Sequence, residues 1–594
     1  WDMQVGSDGI TACASCHFHA GADNRVKNQL SPGLLRVNPD GTPNPDKTFQ
    51  VGGPNYTLQL KDFPFHKLKN INDPNSTVIS DRNDVASSQG VLLEQFMGLD
   101  TNYNEIRFPL IDDVFRVGTL TTRRVEPRNT PTAINAIFNK RNFWDGRAQD
   151  FFNGVNPFGL RDANARVFYA PKPGQVSPVA VAIDNASLAS QAVGPPLSAF
   201  EMSAADKLFP ELGRRLLRQR PLARQLVHAQ DSVLGALSLG AAPGLATTNY
   251  AELIRQAFRR EWWHGTVEGT ISTAAGTAGG TADADSSLSL AKAMPLNKQT
   301  RVKPTTFTQM EANFSLFFGL AIQLYEATLV SDQTPFDAFA EGNTAALTAN
   351  QQRGLALFQT KGQCVVCHIG PEFTAASVQH VNLGALERML MGNGLSAVYD
   401  VGFYNIGVRP TLEDLGLGGM DPFGFPLSES RLLSLFGPAV FERVIGAAPN
   451  LTLTAGERVA ANGAFKTPGL RNVELTAPYF HNGGQRTLRE VVDFYNRGGD
   501  FGAQNIADLD ADIGLLALTN AEKDALVDFL KALTDERVRF RRAPFDHPQL
   551  LIPNGHVGDT VSVVDDGFGR ATDAFLELPA TGRNGGTPFR SFLE

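Results

Sequence analysis

The sequence predicts a mainly α-helical fold of two domains with long loops and inserted segments, and three observations carry that expectation. The string C-x-x-C-H occurs twice, as CASCH at 13–17 and as CVVCH at 364–368, so the same local unit is used in two distant parts of the chain. Segments with helical periodicity and capping residues recur, whereas strand signals are few and short. A length of 594 residues, 42% hydrophobic and 19% charged, is ordinary for a globular chain and long enough for two or more domains with a sizeable core.

The first element is the string itself. Cys13, Cys16, Cys364 and Cys367 are the only cysteines, and each pair runs directly into a histidine, His17 or His368. A redox pair, a zinc site or a disulfide framework has no need of a histidine at that place. C-x-x-C-H is the attachment signature of c-type haem. Two cysteines one turn apart form thioethers to one haem, and the adjacent imidazole reaches its iron. Two covalent c-type haems follow, each in a cytochrome-c-like domain, and no cysteine remains for a disulfide. The domains are expected at 1–340 and 341–545, with a C-terminal extension at 546–594.

The remaining elements follow in chain order. Residues 265–289 are rich in Gly, Ser, Thr and Ala and lack periodicity, which reads as an inserted surface loop. Residues 307–330 are long and apolar enough for a helix buried between the two haem regions. From Leu347, Thr348 stands as an N-cap, Leu355, Ala356 and Leu357 are apolar, and Gly362 breaks the helix before the second haem string. Towards the end, Thr519 or Asn520 caps a helix whose stripe is Leu526, Phe529, Leu530 and Leu533.

No run of about 18 apolar residues occurs, so no membrane span is expected. The net charge of −8 argues against nucleic acid and suits a small electron carrier with a basic face. The sequence starts at Trp1 without a signal-like segment. Because c-haem attachment takes place outside the bacterial cytoplasm, a removed export signal and a periplasmic or secreted location are expected.

Three further stretches, with the two haem strings in order around them, carry a resemblance. They are PRNTPTAINAIFNKRNFWDGRAQDF at 127–151, QAVGPPLSAFEM at 191–202 and FKTPGLRNVELTAPYFHNGGQRTLREVVDFY at 465–495. Together they resemble the bacterial dihaem cytochrome c peroxidase superfamily, which includes MauG-type enzymes and RoxA-like dihaem oxygenases. The resemblance implies that Trp144 lies between the haems and relays electrons. It implies a Ca²⁺ held by Asn129 and by the carbonyls of Thr476 and Pro478, and oxygen-only ligation suits that ion. Gln191 and Glu201 match the pair over the open face of the peroxidatic haem, where a carboxylate moves the peroxide proton from one oxygen to the other; the plainer reading of Glu201 is a carboxylate at a helix start.

Two departures from the family pattern stand out. The segment 151–187 lengthens the spacing before Gln191 and is an insertion able to reshape the haem pocket. VGTLTTRR, upstream of the R-N-T-P string, lacks the histidine that closes the first haem in ordinary peroxidases, so an open site opposite His17 is expected. For the second haem, His368 is the proximal ligand, and the position that is methionine or tyrosine in the family falls on Tyr495, fourteen residues after His481. The likeness to RoxA offers His547 instead. His481 is expected to act structurally, His19 stands out among the other histidines for its place two residues after His17, and Trp262 and Trp263 are core or a docking patch. Three functions remain open: reduction of H₂O₂ with electrons from a small periplasmic cytochrome c or blue copper protein, oxidation of a large organic or protein substrate with H₂O₂ or O₂, and electron transfer without a substrate.

Overall fold

The computed structural model describes residues 1–268 and 306–593. From residue 269 on, the loop expected at 265–289 lies outside the described residues. Helix accounts for only 25% of the chain, and every sheet among the described residues is a two-stranded antiparallel ribbon. The mainly α expectation is therefore not confirmed: helices are set in a frame of turns and small ribbons. The composition explains it, because 56 glycines and 35 prolines interrupt the periodic stretches; glycine carries the largest entropic cost in a helix and proline lacks the N–H donor.

The apolar segment 307–330 shows how tertiary contacts override periodicity. It forms two helices, Gln309–Ala312 and Phe314–Glu326, broken at Asn313. The Asn313 side chain leaves the helix pattern to accept from Phe168 N at 2.7 Å and to donate to the carbonyls of Phe168 at 2.7 Å and Trp262 at 2.8 Å. The longer helix then packs on Ser187–Ala192 and Phe209–Leu216 around Phe152, Leu212, Phe314 and Phe317.

The insertion at 151–187 belongs to this same core. Its ribbon pairs Val167–Tyr169 with Ser177–Val179, and the Tyr169 ring meets Trp262 at 5.0 Å. Trp262 and Trp263 are both half-buried and packed against the core.

In the C-terminal half the helices Ala349–Gln359 and Asn520–Lys531 cross. Both begin as the sequence indicates, with Thr348 and Thr519 accepting from the backbone N–H three residues on, each at 3.3 Å. Phe358, Leu526, Phe529, Leu530 and Leu533 share one core. The crossing depends on Gly354, where an added Cβ would collide with the Ala525 carbonyl oxygen. Gly354→Ala is therefore expected to destabilise the protein by about 1–3 kcal/mol through overpacking, read as a lower denaturant midpoint at unchanged slope.

The extension at 546–594 returns to the start of the chain. Leu550–His556 pairs with Asp573–Leu578, and Leu550, Ile552 and Leu578 bury Met3, Ala12 and Phe18 around the first haem string. Arg123, almost wholly buried, links the two regions through ion pairs with Asp8 at 2.9 Å and Asp573 at 2.7 Å.

Candidate functional site

Two open clefts are each lined by one C-x-x-C-H string. In the first, the short helix Ala14–His17 presents Cys13, Cys16 and His17; in the second, the turn Cys364–Val366 presents Cys364, Cys367 and His368. The imidazoles are fixed alike. His17 Nδ1 bonds to the Gly21 carbonyl at 2.7 Å and His368 Nδ1 to the Phe373 carbonyl at 3.0 Å, which leaves Nε2 of each ring as the coordinating nitrogen. Burial lowers both imidazole pKa values, that of His368 to about 4, so both rings are neutral and ligand-ready. Burial also pushes the Cys16 and Cys364 thiols up to about 12. Among the described residues no three of His, Cys, Asp and Glu are grouped to hold a metal, and the two cysteine pairs line separate clefts.

Trp144 lines both clefts. Its Nε1 donates to the Asn129 carbonyl at 2.7 Å, and its ring lies 6.3 Å from that of His481. The turn that carries it needs Gly146, which has φ 69° and would drive a Cβ to 2.7 Å from the Phe403 ring. The next residue, Asp145, is fully buried, accepting from Arg128 at 2.6 Å and Arg147 at 2.8 Å. Burial alone would raise its pKa, but the Arg147 and Arg128 charges hold it down at about 2.

Lys466 lies beside Trp144 and also lines both clefts. Its backbone N–H donates to the Trp144 carbonyl at 2.8 Å, while its ammonium makes no hydrogen bond or ion pair with the described residues. Burial pulls its pKa down to about 8. An unpaired buried cation is costly, and the carboxylate side chains of a haem would suit it as a partner. The clefts, the two imidazoles anchored through Nδ1 and this orphaned ammonium together fit two c-type haems.

Gln191 and Glu201 both line the N-terminal cleft. Gln191 lies in the last turn of the helix Ser187–Ala192, and Glu201 lies in a turn where its N–H donates to Ser198 Oγ at 3.2 Å. The next helix begins only at Phe209, so Glu201 is not a helix-start carboxylate. No residue of 151–187 lines this cleft, and His17 is its one imidazole. Sequence reasoning missed Glu326, at the end of the Phe314–Glu326 helix, which lines the same cleft and whose pKa burial raises to about 8. A single carboxylate closing an apolar helix carries no local signal.

The two candidate sixth ligands part company. Tyr495 lines the C-terminal cleft, and burial together with the facing Cys367 and Cys364 pushes its phenol well above the usual range. His547 does not reach that cleft. It stacks on Trp1 at 4.6 Å, bonds through Nδ1 to the Pro548 carbonyl at 2.8 Å, and faces a hollow shared with Cys13, His17 and Glu326. The extension folds back onto the first haem string, which places His547 there and Tyr495 in the C-terminal cleft. His481 lines the C-terminal cleft, stacked on Phe465 at 3.6 Å. His19 lies outside both clefts, with Nδ1 bonded to the Leu475 carbonyl at 3.0 Å.

Asn129, Thr476 and Pro478 converge on one hollow beside Trp144. The Asn129 amide N–H donates to Ala86 O at 3.0 Å, which leaves its carbonyl oxygen. The Thr476 and Pro478 carbonyls accept no hydrogen bond from the described residues. Three oxygen donors of this kind fit a hard cation.

The family model for di-haem cytochrome c peroxidases matches residues 110–277. A cytochrome-c peroxidase of Denitromonas iodatirespirans is 34% identical over 213 residues, 36% of this chain and 47% of its own length. A methylamine utilization protein MauG of Methylorubrum extorquens is 28% identical over 36% of this chain and 43% of its own. A cytochrome c551 peroxidase of Pseudomonas aeruginosa is 25% identical over 62% of this chain and 57% of its own. The chain thus spans about half the length of the curated relatives it matches. A solved diheme peroxidase from Burkholderia thailandensis aligns over 88% of this chain at 17% identity with a TM-score of 0.34, too weak a likeness to carry an argument.

Proposed function

We propose that the chain, whose residues 110–277 match the di-haem cytochrome c peroxidase family, reduces H₂O₂ to water in the N-terminal cleft with electrons relayed from the C-terminal cleft through Trp144. The observation that supports this most is that Trp144 lines both clefts while Glu201 and Gln191 line only the first. When bound, the haems supply the one-electron redox centres that the reaction needs. Thioethers at Cys13, Cys16, Cys364 and Cys367 would hold them, with His17, His368 and Tyr495 as the side chains that would reach their irons. Lys466 would pair with their carboxylates, and Asn129, Thr476 and Pro478 would hold a Ca²⁺.

The work of the chain is to bind peroxide and move its proton. Gln191 orients H₂O₂ beneath the carboxylate of Glu201. That carboxylate takes the proton from the nearer oxygen and hands it to the farther one, so that the O–O bond breaks with water leaving. Two electrons and two protons complete the second water. The electrons come from a small periplasmic donor, a cytochrome c or blue copper protein, drawn by the chain's net charge of −8. No described helix is long and apolar enough to cross a membrane.

A second reading, oxidation of a large organic or protein substrate with H₂O₂ or O₂, is favoured by Tyr495 in the C-terminal cleft and by His17 being the one imidazole of the first. Both readings require an open iron. Electron paramagnetic resonance of the oxidised holoprotein is expected to give one high-spin and one low-spin haem, with cyanide converting the former at once and Tyr495→Phe altering only the latter. Two low-spin haems in the unaltered protein would leave only the third function, electron transfer without a substrate.

A further inference from the structure

The wall of the C-terminal cleft continues to the protein surface through two tyrosines and a carboxylate. Tyr404 lines the cleft and packs with Cys367 in one buried cluster. Tyr399, in the same cluster, lies with its ring centroid 5.6 Å from that of Tyr404. The ribbon Leu386–Leu390 with Ser396–Asp400 sets Tyr399 directly across from Glu387, and the phenol donates to the Glu387 carboxylate at 2.9 Å. Glu387 and its neighbour Arg388 are exposed. On this wall the sequence of groups is a cleft, an aromatic ring, a phenol, a base and water.

We propose that Tyr404 and Tyr399 form a second electron path from the C-terminal cleft, ending at Glu387, by which small phenolic donors are oxidised at the surface. This rests on the peroxide-reducing function proposed above, which supplies the oxidising equivalents. Tyr399 gives one electron across the Tyr404 ring to the oxidised centre in the cleft, and its phenolic proton passes to Glu387. A phenol at the surface then returns an electron to Tyr399, the proton comes back from Glu387, and the phenol leaves as a phenoxyl radical with its own proton lost to water. Two phenols are consumed for each H₂O₂ reduced to two waters. Burial, with Tyr404 and Glu387 nearby, pushes the Tyr399 phenol far above its usual range, so it starts protonated and needs the base that faces it. This path is separate from Trp144, which lies on the wall between the clefts.

The test uses the haem-loaded protein, rapidly frozen after oxidation and read by electron paramagnetic resonance. One arm uses H₂O₂ and the other a photogenerated one-electron oxidant, so that the path is read even if peroxide is inert. A tyrosyl signal is expected in the unaltered protein, narrowed by ring-deuterated tyrosine and absent in Tyr399→Phe. Glu387→Gln is expected to slow its formation by about 10²-fold, the lower range of general-base assistance, and peroxide-dependent oxidation of a small phenol to fall in parallel. A tyrosyl signal that persists in Tyr399→Phe, or none in either arm of the unaltered protein, overturns the path. A signal in the photochemical arm alone upholds it and removes the peroxide reading instead.

Discussion

Trp144→Phe is expected to leave both haems attached and both spectra intact, yet to slow electron transfer from the C-terminal to the N-terminal cleft by about 10²-fold. Phenylalanine lacks the Nε1–H that anchors the indole to the Asn129 carbonyl at 2.7 Å, and its single ring does not fill the wall shared by the two clefts. The magnitude is that of a reacting group displaced by about 1 Å. Stopped-flow absorbance, with the second haem reduced first and peroxide then added, reads the step directly. An unchanged rate with unchanged spectra would reduce Trp144 to a packing residue between two independent sites.

Glu201→Gln is the second large effect. Removing one carboxylate from the N-terminal cleft touches neither covalent attachment nor the His17 hydrogen bond to Gly21, so both haems, their spin states and their potentials are expected to stay. Formation of the oxidised state with H₂O₂ is expected to slow by about 10²–10⁴-fold, the size of general acid–base assistance. Glu326, whose pKa burial raises to about 8 in the same cleft, is the group that would supply any residual proton transfer. A rate equal to that of the unaltered protein would take the peroxide proton away from Glu201 and favour the large-substrate reading.

What the sequence made legible is what local strings encode. Covalent attachment fixes cysteine and histidine within five residues, and the caps Thr348 and Thr519 act within three, so both could be read without a fold. Trp144 and Glu201 came through resemblance, and their clefts were not visible locally. The misses are long-range. Asn313 breaks an apolar helix because Phe168 and Trp262 offer it better partners. Lys466 sits among residues that look like a core strand, and only the pairing of two clefts reveals its orphaned ammonium. His547 against Tyr495 could not be decided from spacing, since the answer depends on where the extension lands.

That landing also ties the two ends of the chain together. Arg25 hydrogen-bonds to Pro553, 528 residues away along the chain, and Leu550, Ile552 and Leu578 cover Phe18 beside the first haem string. Such contacts close the longest loops the chain can make, and their entropy must be lost before the contacts reward it. A cut between the two haem regions would therefore not release two self-sufficient haem proteins. The first piece would keep its cysteines and His17 but expose Ala12 and Phe18 and leave Arg123 with Asp8 alone, so the haem string at one end owes its dry interior to sequence at the other.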